Sequence, residues 1–148
     1  MIDLLATAIA YLVNDADLMT HIQGRIAERH KFAMGNDASE TLIGWPTPSA
    51  ALTLAYDGGG VPDTDAGMER GRLDARCYGT SPEEAGQVYA RLIRICRDFV
   101  RTTVSTDQGV ALFYQIYPDS SARSDQDPDT HVDFVQVFLR ASCAQDSV

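Results

Sequence analysis

The chain has 148 residues, a net charge of −9, 45% hydrophobic residues and 22% charged residues. This length and balance are typical of one globular domain and exclude a chain that is disordered throughout. The acidic excess disfavours tight binding to nucleic-acid phosphates. The first residues carry no basic segment typical of a signal peptide, and the sequence has no apolar run of about 18 residues that would predict a membrane span.

The first part of the chain predicts two helices. Apolar residues recur at spacings of three and four, which places them on one helical face: Ile2, Leu5, Ile9, Leu12 and Val13. Asp15 is placed to cap a second, short helix, and Gly24 ends it. Residues 25–47 give no clear pattern, and we expect irregular chain there.

Two strands with alternating side chains follow. Residues 49–57 form the first strand, and residues 70–79 form the second. In the second strand, Leu73, Ala75 and Cys77 share one face, while Arg72, Asp74 and Arg76 share the other. We expect an antiparallel hairpin, with a mobile loop at residues 57–69 because three glycines and a proline lie there.

A capping box gives the clearest helix signal. Ser81 is the expected N-cap, Pro82 occupies the first helical position, and Glu84 reaches back to the start of the helix. The helix should extend to about Arg101, with an apolar stripe that faces a sheet.

Residues 110–117 and 132–141 predict two further strands, separated by an acidic loop at residues 118–131 that we expect to be mobile. The sequence therefore predicts an α+β fold: a four-stranded, mostly antiparallel sheet with helices packed on one face. It predicts one domain over residues 1–148, ordered over about residues 1–143.

The sequence offers no catalytic motif. Cys77, Cys96 and Cys143 form no CxxC pair, His21, His30 and His131 have no metal spacing, and GxSxG is absent. Asp127, Asp129 and His131 alternate, but a calcium loop needs more oxygen ligands and a bidentate glutamate. We therefore expect a protein that is not an enzyme and that uses no metal or cofactor.

Two groups of residues are candidate contacts with another subunit or protein. Gly58, Gly59 and Gly60 lack the GK[ST] of a phosphate-binding loop and are interpreted as a flexible hairpin tip. Arg70, Arg72 and Arg76 share one strand face, which is either solvated or paired with acidic residues of a neighbouring subunit.

The order of these patterns resembles the tail terminators, or tail completion proteins, of long-tailed bacteriophages. The resemblance covers about residues 1–141 and rests on four stretches: the opening helix with Asn14-Asp15-Ala16-Asp17-Leu18, then Gly24-Arg25-Ile26, then Arg72–Gly79 leading into Ser81–Ala85, and the closing strand Val132–Leu139. Residues 28–48 and the acidic loop at residues 118–131 depart from the pattern of the family.

The resemblance implies a structural protein that forms a hexameric ring on the finished tail tube, stops tube polymerisation and joins the tail to the head. The implied partners are the major tail tube protein and the head–tail connector protein. The implied location is the virion, after assembly in the host cytoplasm. DNA would pass through the ring without specific binding, and we expect Asp119, Asp125, Asp127 and Asp129 to face that lumen.

Two alternatives stay open at the level of sequence. One is a small ferredoxin-like ligand-binding or regulatory domain, because similar folds carry different functions. The other is an enzyme that holds a metal in the acidic loop, which predicts a calorimetric signal with Ca²⁺ or Mg²⁺ that Asp127→Ala abolishes.

Overall fold

The computed structural model describes residues 3–29, 32–34, 43–45, 49–57, 63–65, 68–128 and 132–145. These residues form three helices, α1 Leu4–Leu12, α2 Ala16–Ile22 and α3 Pro82–Arg97. Each helix begins at a side chain that accepts a hydrogen bond from a first-turn N–H: Asp3 for α1, Asp15 for α2 and Ser81 for α3. All three helices that the sequence predicts are confirmed.

The N-terminus of α3 has the predicted capping box. Ser81 Oγ accepts a hydrogen bond from the N–H of Glu84 at 3.2 Å. The Glu84 carboxylate accepts one from the N–H of Thr80 at 2.8 Å, and this bond holds the pKa of Glu84 below its usual value. The first bond satisfies an N–H group of the first turn, which has no partner within the helix, and the second ties the residue before the N-cap to that turn.

The described residues contain ten strands. They are β1 Ile26–Glu28, β2 Phe32–Met34, β3 Ile43–Trp45, β4 Ala51–Tyr56, β5 Asp63–Asp65, β6 Met68–Gly79, β7 Thr102–Thr106, β8 Gly109–Pro118, β9 Arg123–Gln126 and β10 Asp133–Gln145. Eight form one sheet in the order β1-β4-β6-β10-β8-β7, with β5 also paired to β6 and β9 to β10. Strands β2 and β3 pair separately as a parallel pair.

The predicted four-stranded, mostly antiparallel sheet is therefore wrong. The main sheet has eight strands and is mixed, because β1 pairs with β4 in parallel while the other pairs are antiparallel. The four predicted strands are present as β4, β6, β8 and β10, and the strands that were missed are five residues long or shorter. Segments of three residues are too short to show a hydrophobic period, and β7 and β9 contain too few apolar residues to show one.

Two long strands form the centre of the sheet. β6 and β10 pair over twelve residues, from Gly79 opposite Asp133 to Met68 opposite Ala144. The outer edge of β6 is shared by β4 and β5, and the outer edge of β10 is shared by β8 and β9. The predicted hairpin of residues 49–57 and 70–79 is confirmed as the β4–β6 pair.

Both segments predicted as long loops contain strands. In residues 57–69, β5 pairs with the first residues of β6, which begins at Met68. In residues 118–131, β9 pairs with Asp133–Gln136 of β10. Strand β9 is exposed along its whole length, so its sequence carries no apolar alternation that would reveal it. The segment at residues 25–47, expected to be irregular, contains β1, β2 and β3.

The helices cover one face of the sheet. Leu73, Ala75 and Cys77 of β6 are fully buried in one core with the apolar faces of all three helices. Helix α1 also contacts β1 and β7, the two end strands, so the sheet curls around it. No helix in the described part of the chain is long and apolar enough to cross a membrane.

Candidate functional site

The sheet face opposite the helices carries the polar residues that the sequence singled out. Alternation along β6 places Arg72, Asp74 and Arg76 there, since their neighbours Leu73 and Ala75 enter the core. The directly paired residues of β10 lie on the same face: Arg140 opposite Arg72, Phe138 opposite Asp74, and Gln136 opposite Arg76. We call these six residues the polar sheet face.

Asp74 is the centre of one hydrogen-bond network on the polar sheet face. Its carboxylate accepts bonds from Arg29 Nη1 at 3.0 Å and from Gln136 Nε2 at 2.9 Å. Arg29 also donates to the Asp74 carbonyl at 2.8 Å and to Thr53 at 3.2 Å. The Arg29 and Asp74 side chains are only 20% and 14% exposed, so the pair is largely removed from water. It fixes residue 29, just beyond β1, against β4 and β6.

Arg72 is the centre of a second network. Its Nη1 lies 3.0 Å from Asp57 and its Nε lies 3.3 Å from Asp119, which also pairs with Arg140 at 2.9 Å. The guanidinium lies over the Phe138 ring, 4.1 Å from the centroid. Arg72 was considered as a contact to a neighbouring subunit, but its partners lie within the same chain.

Arg76 differs from Arg72 because it contacts no carboxylate of the residues described. Its guanidinium lies 5.0 Å from the centroid of the Phe134 ring, beside a small buried cluster of Ala51, Tyr78, Val132 and Phe134. Its Nε atom is buried and has no hydrogen-bond partner in that part of the structure. Arg76 therefore keeps its charge available for an outside carboxylate.

Of the remaining candidate residues, the structure describes Arg70, Asp119, Asp125 and Asp127. Arg70 is exposed near the start of β6, opposite Asp63 of β5. Gly58, Gly59 and Gly60 lie outside the described residues, as does Asp129. Asp119 is engaged by two arginines, Asp125 of β9 pairs with Arg123 at 3.3 Å, and Asp127 is half-buried beyond the end of β9.

The three cysteines are free and buried in the core. Burial raises the pKa of Cys96 to about 12 and that of Cys143 to about 11, and it raises the pKa of Cys77 further. A thiol with so high a pKa is a poor nucleophile near neutral pH. His30 and His131 lie outside the described residues. Among the residues that the structure describes, no group of three histidine, cysteine, aspartate or glutamate side chains could hold a metal ion.

A polar cluster under the start of α1 joins the helix to the sheet. Buried Glu69 of β6 accepts a hydrogen bond from the N–H of Leu4 at 3.1 Å. Tyr56 of β4 donates to the Asp3 carboxylate and accepts from the N–H of Leu5 at 3.1 Å. Burial, reinforced by the nearby carboxylate of Asp3, raises the pKa of Glu69.

Sequence reasoning missed a basic groove on the helix side of the molecule. Arg91, Arg94 and Arg97 of α3 line it together with Tyr89, and Asp17 of α2 lies at its side. Asp17 pairs with Arg94 and lies 3.4 Å from Arg91 Nε, so the pKa of Asp17 is lowered. The signal available in the sequence was the spacing of three residues between successive arginines of α3. Residues three apart are neighbours on the surface of a helix, so the three side chains lie next to one another. We call this feature the α3 arginine groove.

The fold is similar to that of a chain in the virion of a native gene transfer agent (GTA) particle. The two match with a TM-score of 0.60 over 96% of this chain and 95% of that chain, at 11% sequence identity. Likeness at this identity establishes a shared fold along nearly the whole of both chains. No protein-family model and no curated protein sequence matches the chain.

Proposed function

We propose that this chain is a structural protein of a virion, and that within the virion it is a tail terminator, not an enzyme. The observation that carries the proposal is the shared fold with a virion chain, which covers 96% of this chain and 95% of that one. Because the likeness spans both chains, this protein matches that virion component as a whole. The resemblance of the sequence to tail terminators supports the finer assignment.

The sheet has strand edges suited to assembly. In the described part of the chain, β1 and β7 each pair on one side only, and β9 pairs only with β10. Exposed strand edges favour pairing with another chain. A ring needs two different contact surfaces on each subunit, so that identical copies join head to tail until the rotation closes.

Two arginines of the polar sheet face, both candidate contacts with another subunit or protein, differ in their partners. Arg72 is held by Asp57 and Asp119, whereas Arg76 keeps an available charge. We therefore assign Arg76 to contact with a neighbouring subunit, the major tail tube protein or the head–tail connector protein.

The acids proposed to face passing DNA are Asp119, Asp125, Asp127 and Asp129. Asp119 is paired with Arg72 and Arg140, and Asp125 is paired with Arg123, so part of the charge of these two acids is balanced within the chain.

The ring is proposed to be a homohexamer located in the tail neck of the virion and assembled in the host cytoplasm. The alternative is a small ferredoxin-like ligand-binding or regulatory domain, since similar folds carry different functions.

The test is polymerisation of purified major tail tube protein with and without this chain, followed by electron microscopy. We expect short tubes with a ring at one end and co-sedimentation of the chain. Arg76→Glu should weaken capping, whereas Arg101→Glu is the matched control and should cap normally, because Arg101 is an exposed arginine outside the polar sheet face and outside β9. Unlimited tube growth with no co-sedimentation of the wild-type chain would contradict the proposal.

A further inference from the structure

The α3 arginine groove is a concave surface between α2 and α3 with a volume of about 570 Å³. Its lining includes Tyr89 and Ile93, which are half-buried and apolar over most of their side chains. Arg91, Arg94 and Arg97 also line it. Arginine and tyrosine are enriched in protein interfaces, where they supply both contact area and directed hydrogen bonds.

The groove has more positive than negative charge. The carboxylate of Asp17 contacts Arg94 and Arg91, and the Arg94 side chain is still 53% exposed. Arg97 is exposed, and no carboxylate in the described ranges pairs with it. Three arginines against one aspartate give the groove a charge of +2.

The rest of the chain has the opposite charge. Because the whole chain carries −9 and the groove contributes +2, the remainder carries −11. Two copies of an acidic chain repel each other wherever like surfaces meet, and the repulsion acts over about 8–10 Å at physiological salt. A contact that sets the groove of one copy against an acidic surface of the next replaces this repulsion by attraction.

We infer that the α3 arginine groove binds an acidic segment of a second copy of this chain, in a head-to-tail contact. The inference rests on the proposed ring and names one of its two contact surfaces. A contact between a basic and an acidic surface is heterologous, which is the kind that closes a ring of identical subunits. Carboxylates of the neighbour would bind the guanidinium groups of Arg94 and Arg97, and apolar atoms would cover Tyr89 and Ile93.

The experiment compares self-association of the wild-type chain, Arg97→Glu and Arg101→Glu by sedimentation velocity at several concentrations and at low and high salt. Arg97 and Arg101 are both exposed arginines, but only Arg97 lies in the groove. We expect Arg97→Glu to weaken association by about tenfold or more and Arg101→Glu to leave it unchanged. High salt should weaken wild-type association.

Equal association of the wild-type chain and Arg97→Glu overturns the inference, as does a wild-type chain that stays monomeric both alone and with tail tube ends. Thermal melting of each variant shows that the fold is intact. Loss of binding to a DNA fragment in Arg97→Glu, with self-association unchanged, would assign the groove to nucleic acid and also overturn the inference.

Failure of the groove inference and failure of the proposed function give different experimental results. If Arg97→Glu still caps tubes with complete rings, the groove inference fails and the tail-terminator assignment stands. If the wild-type chain never caps tubes but self-associates through Arg97, the tail-terminator assignment fails and the groove contact stands.

Discussion

Gly79 is the position at which the structure predicts the largest effect of adding one methyl group. It ends β6 and lies against the first turn of α3. A Cβ atom there would lie 2.8 Å from the carbonyl carbon of Glu84 and 2.9 Å from its Cβ, and closer still to the backbone nitrogen of Ala85. Ordinary contact begins near 3.4 Å. Backbone atoms of a capped helix cannot rotate away, so Gly79→Ala must move α3 by more than half an ångström from β6.

The cost follows from that displacement. Overpacking of a well-packed site costs about 1–3 kcal/mol, and disturbing the Ser81 cap adds about 1 kcal/mol. Replacing glycine by alanine returns about 0.4–1 kcal/mol because the unfolded chain is less flexible. We therefore expect Gly79→Ala to lower the free energy of unfolding by about 1–3.5 kcal/mol. For a domain of this size the melting temperature should fall by about 4–12 °C.

The assay is urea unfolding followed by circular dichroism, with Gly86→Ala as the matched control. Gly86 lies in the second turn of α3, and a Cβ added there meets nothing within 4 Å. Alanine is favoured over glycine in a helix interior by about 1 kcal/mol, so the control should be stabilised. A Gly79→Ala variant within about 0.5 kcal/mol of the wild-type chain would refute the reasoning, since that is the range of ordinary surface substitutions.

Three further substitutions test other parts of the structure by the same unfolding assay. Ser81→Ala removes the α3 cap and should cost about 1 kcal/mol, whereas an unchanged midpoint would show that the cap contributes nothing. Asp74→Ala leaves the partly buried Arg29 guanidinium without its carboxylate and should cost about 2 kcal/mol, more than Asp74→Asn. Burial raises the pKa of Glu69 in the folded chain above 4.5, so folding favours the protonated carboxyl. The stability that this protonation gives the folded chain is lost as the pH rises through the folded pKa. Glu69→Gln keeps an oxygen that can accept the hydrogen bond from the N–H of Leu4. The variant should be more stable than the wild-type chain by about 1 kcal/mol at pH 7, and the difference should be smaller near pH 4. A variant that is less stable than the wild-type chain at pH 7 would contradict this expectation.

Local signals in the sequence predicted the elements that depend on local chemistry. The start of α3 is readable because Ser81 and Glu84 satisfy N–H groups within a few residues of themselves. The alternation of β6 is readable because one of its faces is buried under the helices.

The missed strands depend on pairing between distant segments. β7 has four polar residues, and only Val104 is buried, so it shows no alternation of apolar residues. β5 and β9 form because β6 and β10 extend beyond β4 and β8 and offer free edges. No property of residues 63–65 or 123–126 alone indicates this.

The candidate site was predictable only in part for the same reason. Alternation placed Arg72 and Arg76 on one face, as the structure has them. It did not reveal that Asp57 and Asp119 reach Arg72, because those contacts depend on the register of two different strand pairs. The alternation of charged residues along β6 therefore predicted the polar sheet face, but it did not predict which carboxylates pair with the arginines there.

The position of β10 between β6 and β8 has a consequence for how the chain folds. Without β10, the main sheet separates into one group containing β1, β4, β5 and β6 and another containing β7 and β8, and β9 loses its pairing strand. β10 is synthesised after every other strand described, and its partners in β6 lie at least 54 residues earlier. Closing such long loops is slow, so the sheet should be completed late, after both groups have emerged from the ribosome. Until then the inner edges of β6 and β8 are open, and a nascent chain stopped before residue 133 would be prone to aggregation.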